Sequence, residues 1–144
     1  MNSATPAIRN LAKRLLSLEA QSLPDGERIQ DAVRACEKLR VPLAKLAGVA
    51  GFRSLMTRAK VLATAEVPWL DSVLIRVDGS LEGFDEAKSQ PGAAGHGDAG
   101  VVVVAQLLGL LTTFIGEPLT LRLVRDVWPD VSLVGMDAVS GERS

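Results

Sequence analysis

The chain has 144 residues, enough for one domain with a core of its own. Hydrophobic residues make up 47% and charged residues 23%, which excludes a disordered chain, while aromatics are only 3%, so the core must be built from Leu, Val, Ala and Ile. The net charge of −1 hides a polarity: residues 1–60 hold eleven Lys/Arg against five Asp/Glu, and residues 61–144 hold five against twelve. Such a split reads either as a basic surface for an acidic partner, or as halves that complement each other within the fold or between subunits.

In chain order, Thr5-Pro6 supplies an N-cap and a proline at the first helical position. Ile8, Leu11, Ala12, Leu15 and Leu18 follow at helical spacing. Arg9, Lys13 and Arg14 interrupt this segment, so it has no continuous apolar run of the secretory kind. Asp25 can cap a second helix with an apolar stripe of Ile29, Ala32, Val33, Cys36 and Leu39. Glu27, Asp31, Arg34 and Lys38 are assigned to its wet face. Pro42 is expected to bend or break this helix, leaving Leu43 and Leu46 on a short turn that ends near Gly48. Phe52, Leu55, Met56, Ala59, Leu62 and Ala63 mark a third helix, with Arg53 and Lys60 outward, stopped at Val67-Pro68.

Beyond it, Val73, Ile75 and Val77 alternate with Leu74 and Arg76, and Asp78-Gly79 signals a tight turn. The alternation predicts a hairpin of Ser72–Val77 with Ser80–Phe84, while Leu70, Val73, Leu74 and Val77 fit a competing helix. Lys88 to Asp98 reads as a mobile loop rich in Gly and Ala. After the apolar run that follows, Gly116-Glu117-Pro118 restarts a helix. Its apolar face is Leu119, Leu123, Val124, Val127 and Trp128, with Arg122, Arg125 and Asp126 turned away. Residues 1–130 thus form a single helical domain, and 131–144 a loosely attached tail.

The run from Ala99 to Gly116 carries no charge, and three chemistries compete for it. Gly95-His96-Gly97-Asp98-Ala99-Gly100 spells a nucleotide-binding fingerprint, but KSQPGAA before it makes no strand. Asp98 would also repel a phosphate at the helix start. A membrane span is short at about 27 Å against about 30 Å of hydrocarbon. The run is also diluted by Gln106, Gly109, Thr112 and Thr113, and lacks flanking Lys or Arg. The third reading, the centre of a bundle, needs a helix apolar all round. Ala105, Gly109, Thr112 and Gly116 form a small-residue stripe along it, able to admit a close helix from the same chain or from a second copy.

The remaining constellations are weak. Cys36 lies on an apolar stripe and reads as core; with no second Cys it implies a reducing, cytoplasmic setting. His96 alone assembles no zinc site, and the pair Cys36/His96 has its nucleophile buried. DGSLEG, Asp78 to Gly83, imitates a calcium loop but puts Ser89 where a bidentate Glu belongs. Arg34, Lys38, Arg40, Lys45, Arg53, Arg58 and Lys60 could contact phosphates, but acids interleave with them and five aromatics make no stacking platform.

Three segments resemble a recurring family of small uncharacterised bacterial proteins: GFRSLMTRAKVLATAEVPWL, the DGSLEG turn, and VVVVAQLLGLLTTFIGEPLTLRLVRDVWP. The resemblance covers roughly residues 30–130; it implies a bacterial, stand-alone protein and carries over no functional residue. The expected fold is mainly α: a helical bundle around a buried central apolar helix, with a small β-hairpin. The expected function is non-enzymatic, an interaction or adaptor protein that self-associates, without cofactor, metal or membrane span. Its candidate surfaces are the stripe Ala105, Gly109, Thr112, Gly116 and the acidic-partner contacts Arg34, Lys38, Arg53, Lys60. The alternative is a nucleic-acid-associated regulator using the basic N-terminal half.

Overall fold

The fold is drawn from a computed structural model that describes residues 5–22, 28–83 and 99–131. Four helices dominate: α1 (Pro6–Ser22), α2 (Arg28–Glu66), α3 (Ala99–Ile115) and α4 (Glu117–Val127). A 3-10 turn (Pro68–Ser72) and two short strands, β1 (Leu74–Ile75) and β2 (Leu81–Glu82), lie between α2 and α3.

The start of α1 follows its sequence signals. The Thr5 hydroxyl accepts the Ile8 N–H at 3.2 Å, and Pro6 enters without an orphan N–H. Ile8, Leu11, Ala12 and Leu15 are buried as the periodicity requires, and Leu18 is half-buried. The buried stripe then continues onto Glu19, a carboxylate where the pattern calls for an apolar residue.

Of the bend or break expected at Pro42 the break does not occur, while the expected end near Gly48 does. The helix runs through Pro42 and fails only at Gly48, where φ is 82° and ψ 163°. Proline interrupts one backbone hydrogen bond but keeps a helical φ, whereas Gly48 adopts a conformation that is essentially closed to other residues. Leu43 and Leu46 therefore extend the first arm of α2 rather than forming a separate turn. Phe52, Met56, Ala59 and Ala63 bury the inner face of the second arm, and Leu55 and Leu62 are half-buried. Val67-Pro68 stops it, and the chain passes straight into the 3-10 turn, whose Trp69 and Leu70 enter the core.

The hairpin is real but smaller than expected. Ser72 belongs to the 3-10 turn, and pairing is limited to Leu74 with Glu82 and Ile75 with Leu81. Arg76 donates to the Ser80 carbonyl at 2.8 Å and Gly79 to the Arg76 carbonyl at 2.9 Å, closing the turn. Gly79 has φ 89° and sits so close to Phe52 that a Cβ there would lie 2.4 Å from its ring. The turn thus docks on α2 through the absence of a side chain. Phe84, the end of the expected second strand, and the Lys88 to Asp98 loop lie outside the described residues.

α3 is the centre of the bundle. Every residue from Ala99 to Gly109 is buried, and so is Leu111. Its contacts are chiefly with α2, then with α1 and α4. Only its last turn emerges, where Thr113 and Phe114 are exposed. In α4 the buried face is Thr120, Leu121, Leu123 and Val124, followed by Trp128. Leu119, assigned to the core by sequence, is 40% exposed. Thr120 takes its place because its hydroxyl bonds the Gly116 carbonyl at 2.8 Å, so its burial leaves no polar group unpaired. Arg122, Arg125 and Asp126 face outward as expected. At the end, the Val131 N–H bonds the Trp128 carbonyl at 3.0 Å and Val131 packs on the core, while residues 132–144 lie outside the described residues.

Candidate functional site

The most concentrated polar chemistry lies where α1, α2 and the end of α4 meet. Glu19 is 1% exposed. Lys38 Nζ reaches Glu19 Oε2 at 2.6 Å, Arg34 Nε reaches Oε1 at 3.3 Å, and the Trp128 indole N–H donates to Oε2 at 2.8 Å. Arg34 also bonds the Glu19 carbonyl and pairs with Asp31, itself buried. Burial alone would raise the Glu19 pKa. Hydrogen bonds from Lys38, Trp128 and Arg34, with the Lys38 charge, outweigh it and hold the carboxyl below its ordinary range.

This arrangement corrects the placement of Asp31 on a wet face, since it is buried; Arg34 is half-buried and Lys38 is exposed as expected. Glu19 and Trp128, distant in sequence, reach this part of α2, and Glu19 pairs with Arg34 and Lys38. Helical periodicity within α2 cannot register a cover that comes from elsewhere. A shallow depression of about 280 Å³ opens beside the cluster, with Lys38, Trp128, Gln21 and Asp130 among its walls. Glu19 also lines this depression, but the donors that stabilise its ionised form make it a weak base. The sequence carried one overlooked signal: Glu19 falls four residues after Leu15, on the buried stripe of α1.

Other first-half bases are also neutralised inside the chain. Arg40 pairs with Glu37 of its own half, and Arg9 with Glu66 of the other. Glu66 also accepts from Gln106, a buried amide on α3, at 3.2 Å, so one carboxylate ties α1, α2 and α3. Of the four candidate contacts for an acidic partner, Arg34 and Lys38 are paired with Glu19. Arg53 is exposed, with Nε donating to the Arg76 carbonyl at 3.2 Å, and Lys60 is half-buried. Arg53 shares a second depression, of about 390 Å³, with Ser54, Thr57, Arg58 and Val61.

The small-residue stripe divides. Ala105 and Gly109 are buried and serve packing within the chain. Thr112 and Gly116 are half-buried, and the Thr112 hydroxyl folds back onto the Leu108 carbonyl at 3.0 Å. Ala105 and Gly109 therefore have no surface to offer a second copy.

Cys36 is a core residue as read: burial pushes its thiol up to about 12, far from a nucleophilic thiolate at neutral pH. His96 lies outside the described residues. The Asp78 carboxylate takes the Ser80 hydroxyl at 2.7 Å and the Ser80 N–H at 3.0 Å, which holds its pKa low. Those bonds give the DGS sequence a turn-forming role. Among the described residues no group of three His, Cys, Asp or Glu could hold a metal, and no helix is long and apolar enough to cross a membrane. Comparison with family models, with curated proteins and with solved structures returned no match.

Proposed function

We propose that this chain is a non-enzymatic interaction module. The observation that carries the reading is the distribution of side chains on α2 and the hairpin. Val41, Val49, Val61, Leu74 and Val77 are each more than half exposed, Val77 at 83%. Cys36 is sealed in the core, and Glu19 is engaged by Lys38, Arg34 and Trp128. Singly exposed aliphatics need no partner, but a series on adjoining elements is the composition of an interaction surface. Self-association through α3 would have to use its outer end, where Thr113 and Phe114 are exposed. The test is incubation of purified chain with a panel of metabolites and nucleotides, with turnover and bound cofactor read by mass spectrometry. The module reading expects neither; stoichiometric cofactor or turnover of any compound overturns it.

A second reading, a nucleic-acid-associated regulator, is favoured by Arg53, Arg58 and Ser54, all suited to phosphate contacts. The neutralisation of Arg34, Lys38 and Arg40 weakens it. Binding of DNA or RNA that falls steeply with salt is its signature.

A further inference from the structure

The outward face of the second arm of α2 carries a more specific inference, which rests on the interaction-module reading. Arg53, Ser54, Thr57, Arg58 and Val61 are all exposed and line one depression of about 390 Å³. Their spacing places them on a strip two residues wide along little more than two helical turns. The strip has one sign of charge, since no Asp or Glu lines it. The two carboxylates of the hairpin are engaged within it, Glu82 with Arg76 and Asp78 with Ser80. Arg58 has no ion-pair partner among the described residues, unlike Arg34, Arg40 and Lys38.

Arg53 is partly fixed. Its Nε–H is held by the Arg76 carbonyl, and a guanidinium has four further N–H donors in a planar fork. The Thr57 hydroxyl donates to the Arg53 carbonyl at 2.8 Å, so toward solvent it presents lone pairs. At the far end Val61 is 64% exposed, an apolar seat within the same depression.

We propose that this strip docks an acidic amphipathic segment of a partner protein, its carboxylates on Arg53 and Arg58 and an aliphatic side chain on Val61. Charge complementarity selects an acidic occupant. Val61, with the exposed aliphatics of the adjoining hairpin, selects a peptide over a phosphate backbone. A single-stranded nucleic acid held by base stacking would want exposed aromatics, and this arm offers none: its one aromatic, Phe52, is buried.

The test is fluorescence anisotropy with a labelled synthetic peptide carrying Glu and Leu at helical spacing, and with single-stranded DNA of equal charge. Arg58→Glu and Val61→Asp should each weaken peptide binding at least about tenfold with melting unchanged. Phe114→Ser, at an exposed site on α3, should leave it intact. Peptide binding that survives both strip variants overturns the docking site and leaves the module reading standing. Absence of peptide binding overturns the acidic-partner inference. Tighter binding of the DNA, weakened by the same variants, overturns it in favour of nucleic acid. Metabolite turnover by the native chain overturns the module reading itself.

Discussion

Replacing Glu19 by Gln isolates the charge at the α1–α2–α4 junction. The amide keeps the shape and keeps an acceptor for the Trp128 indole, but removes the negative charge facing Lys38 and Arg34. Removing one partner of a buried ion pair costs about 3–5 kcal/mol when the surviving charge stays buried. Here the Arg34 and Lys38 side chains are 27% and 45% exposed, so both regain water. Arg34 also keeps Asp31. The loss is therefore reduced to about 2 kcal/mol, a drop in Tm of about 6–8 °C for a chain of this size. The pH dependence has a defined sign. The folded-state pKa of Glu19 lies below its ordinary value of 4.5, so its contribution is fully present above that value and is lost as pH falls through the folded-state pKa. The native-minus-variant difference in urea unfolding should then be largest near neutrality and shrink in acid. A difference under about 0.5 kcal/mol at neutrality, or one that grows in acid, would refute the reasoning.

Other outcomes follow from single residues. Gly48→Ala should cost about 1–3 kcal/mol in urea unfolding, entirely through the backbone, because nothing lies within 4 Å of the added Cβ. Pro42→Ala should stabilise by about 1–2 kcal/mol, since it restores a helical hydrogen bond at a modest cost in unfolded-chain entropy; a loss of stability would contradict the continuous helix. Cys36 should react with a chromogenic thiol reagent only at the rate of unfolding, and fast labelling under native conditions would contradict its burial. Leu107→Ala should cost about 2–5 kcal/mol, as expected for a side chain in the centre of the bundle.

Much of the fold was legible because it rests on periodicity and caps. The Thr5-Pro6 start, the Phe52–Ala63 stripe and the Val67-Pro68 stop all reflect local backbone preference, and local sequence states them. The central place of α3 was legible because a run without charge has few alternatives in a chain this length. What escaped the sequence was set by distance. Pro42 kept its place in a helix because packing on both sides outweighed one missing hydrogen bond. The buried Glu19 cluster needed three elements to meet, and only the offset of Glu19 onto the apolar stripe of α1 hinted at it. The pairing of Arg34 and Lys38 with Glu19 was not legible for the same reason: a charge run gives no sign of which charges find partners within the fold. Arg53 and Arg58 were recognisable as basic, but that neither has an ion-pair partner among the described residues is a property of the folded surface.

The central claim is that the chain acts by binding another protein. Its most direct test is capture of the tagged chain from its own cells at low and high salt, with nuclease treatment, measuring bound protein and nucleic acid together. The account predicts a protein partner in near-equal amount that survives nuclease and is lost from the Arg58→Glu variant. Nucleic acid recovered at low salt and lost at high salt, with no protein in stoichiometric amount, would contradict it.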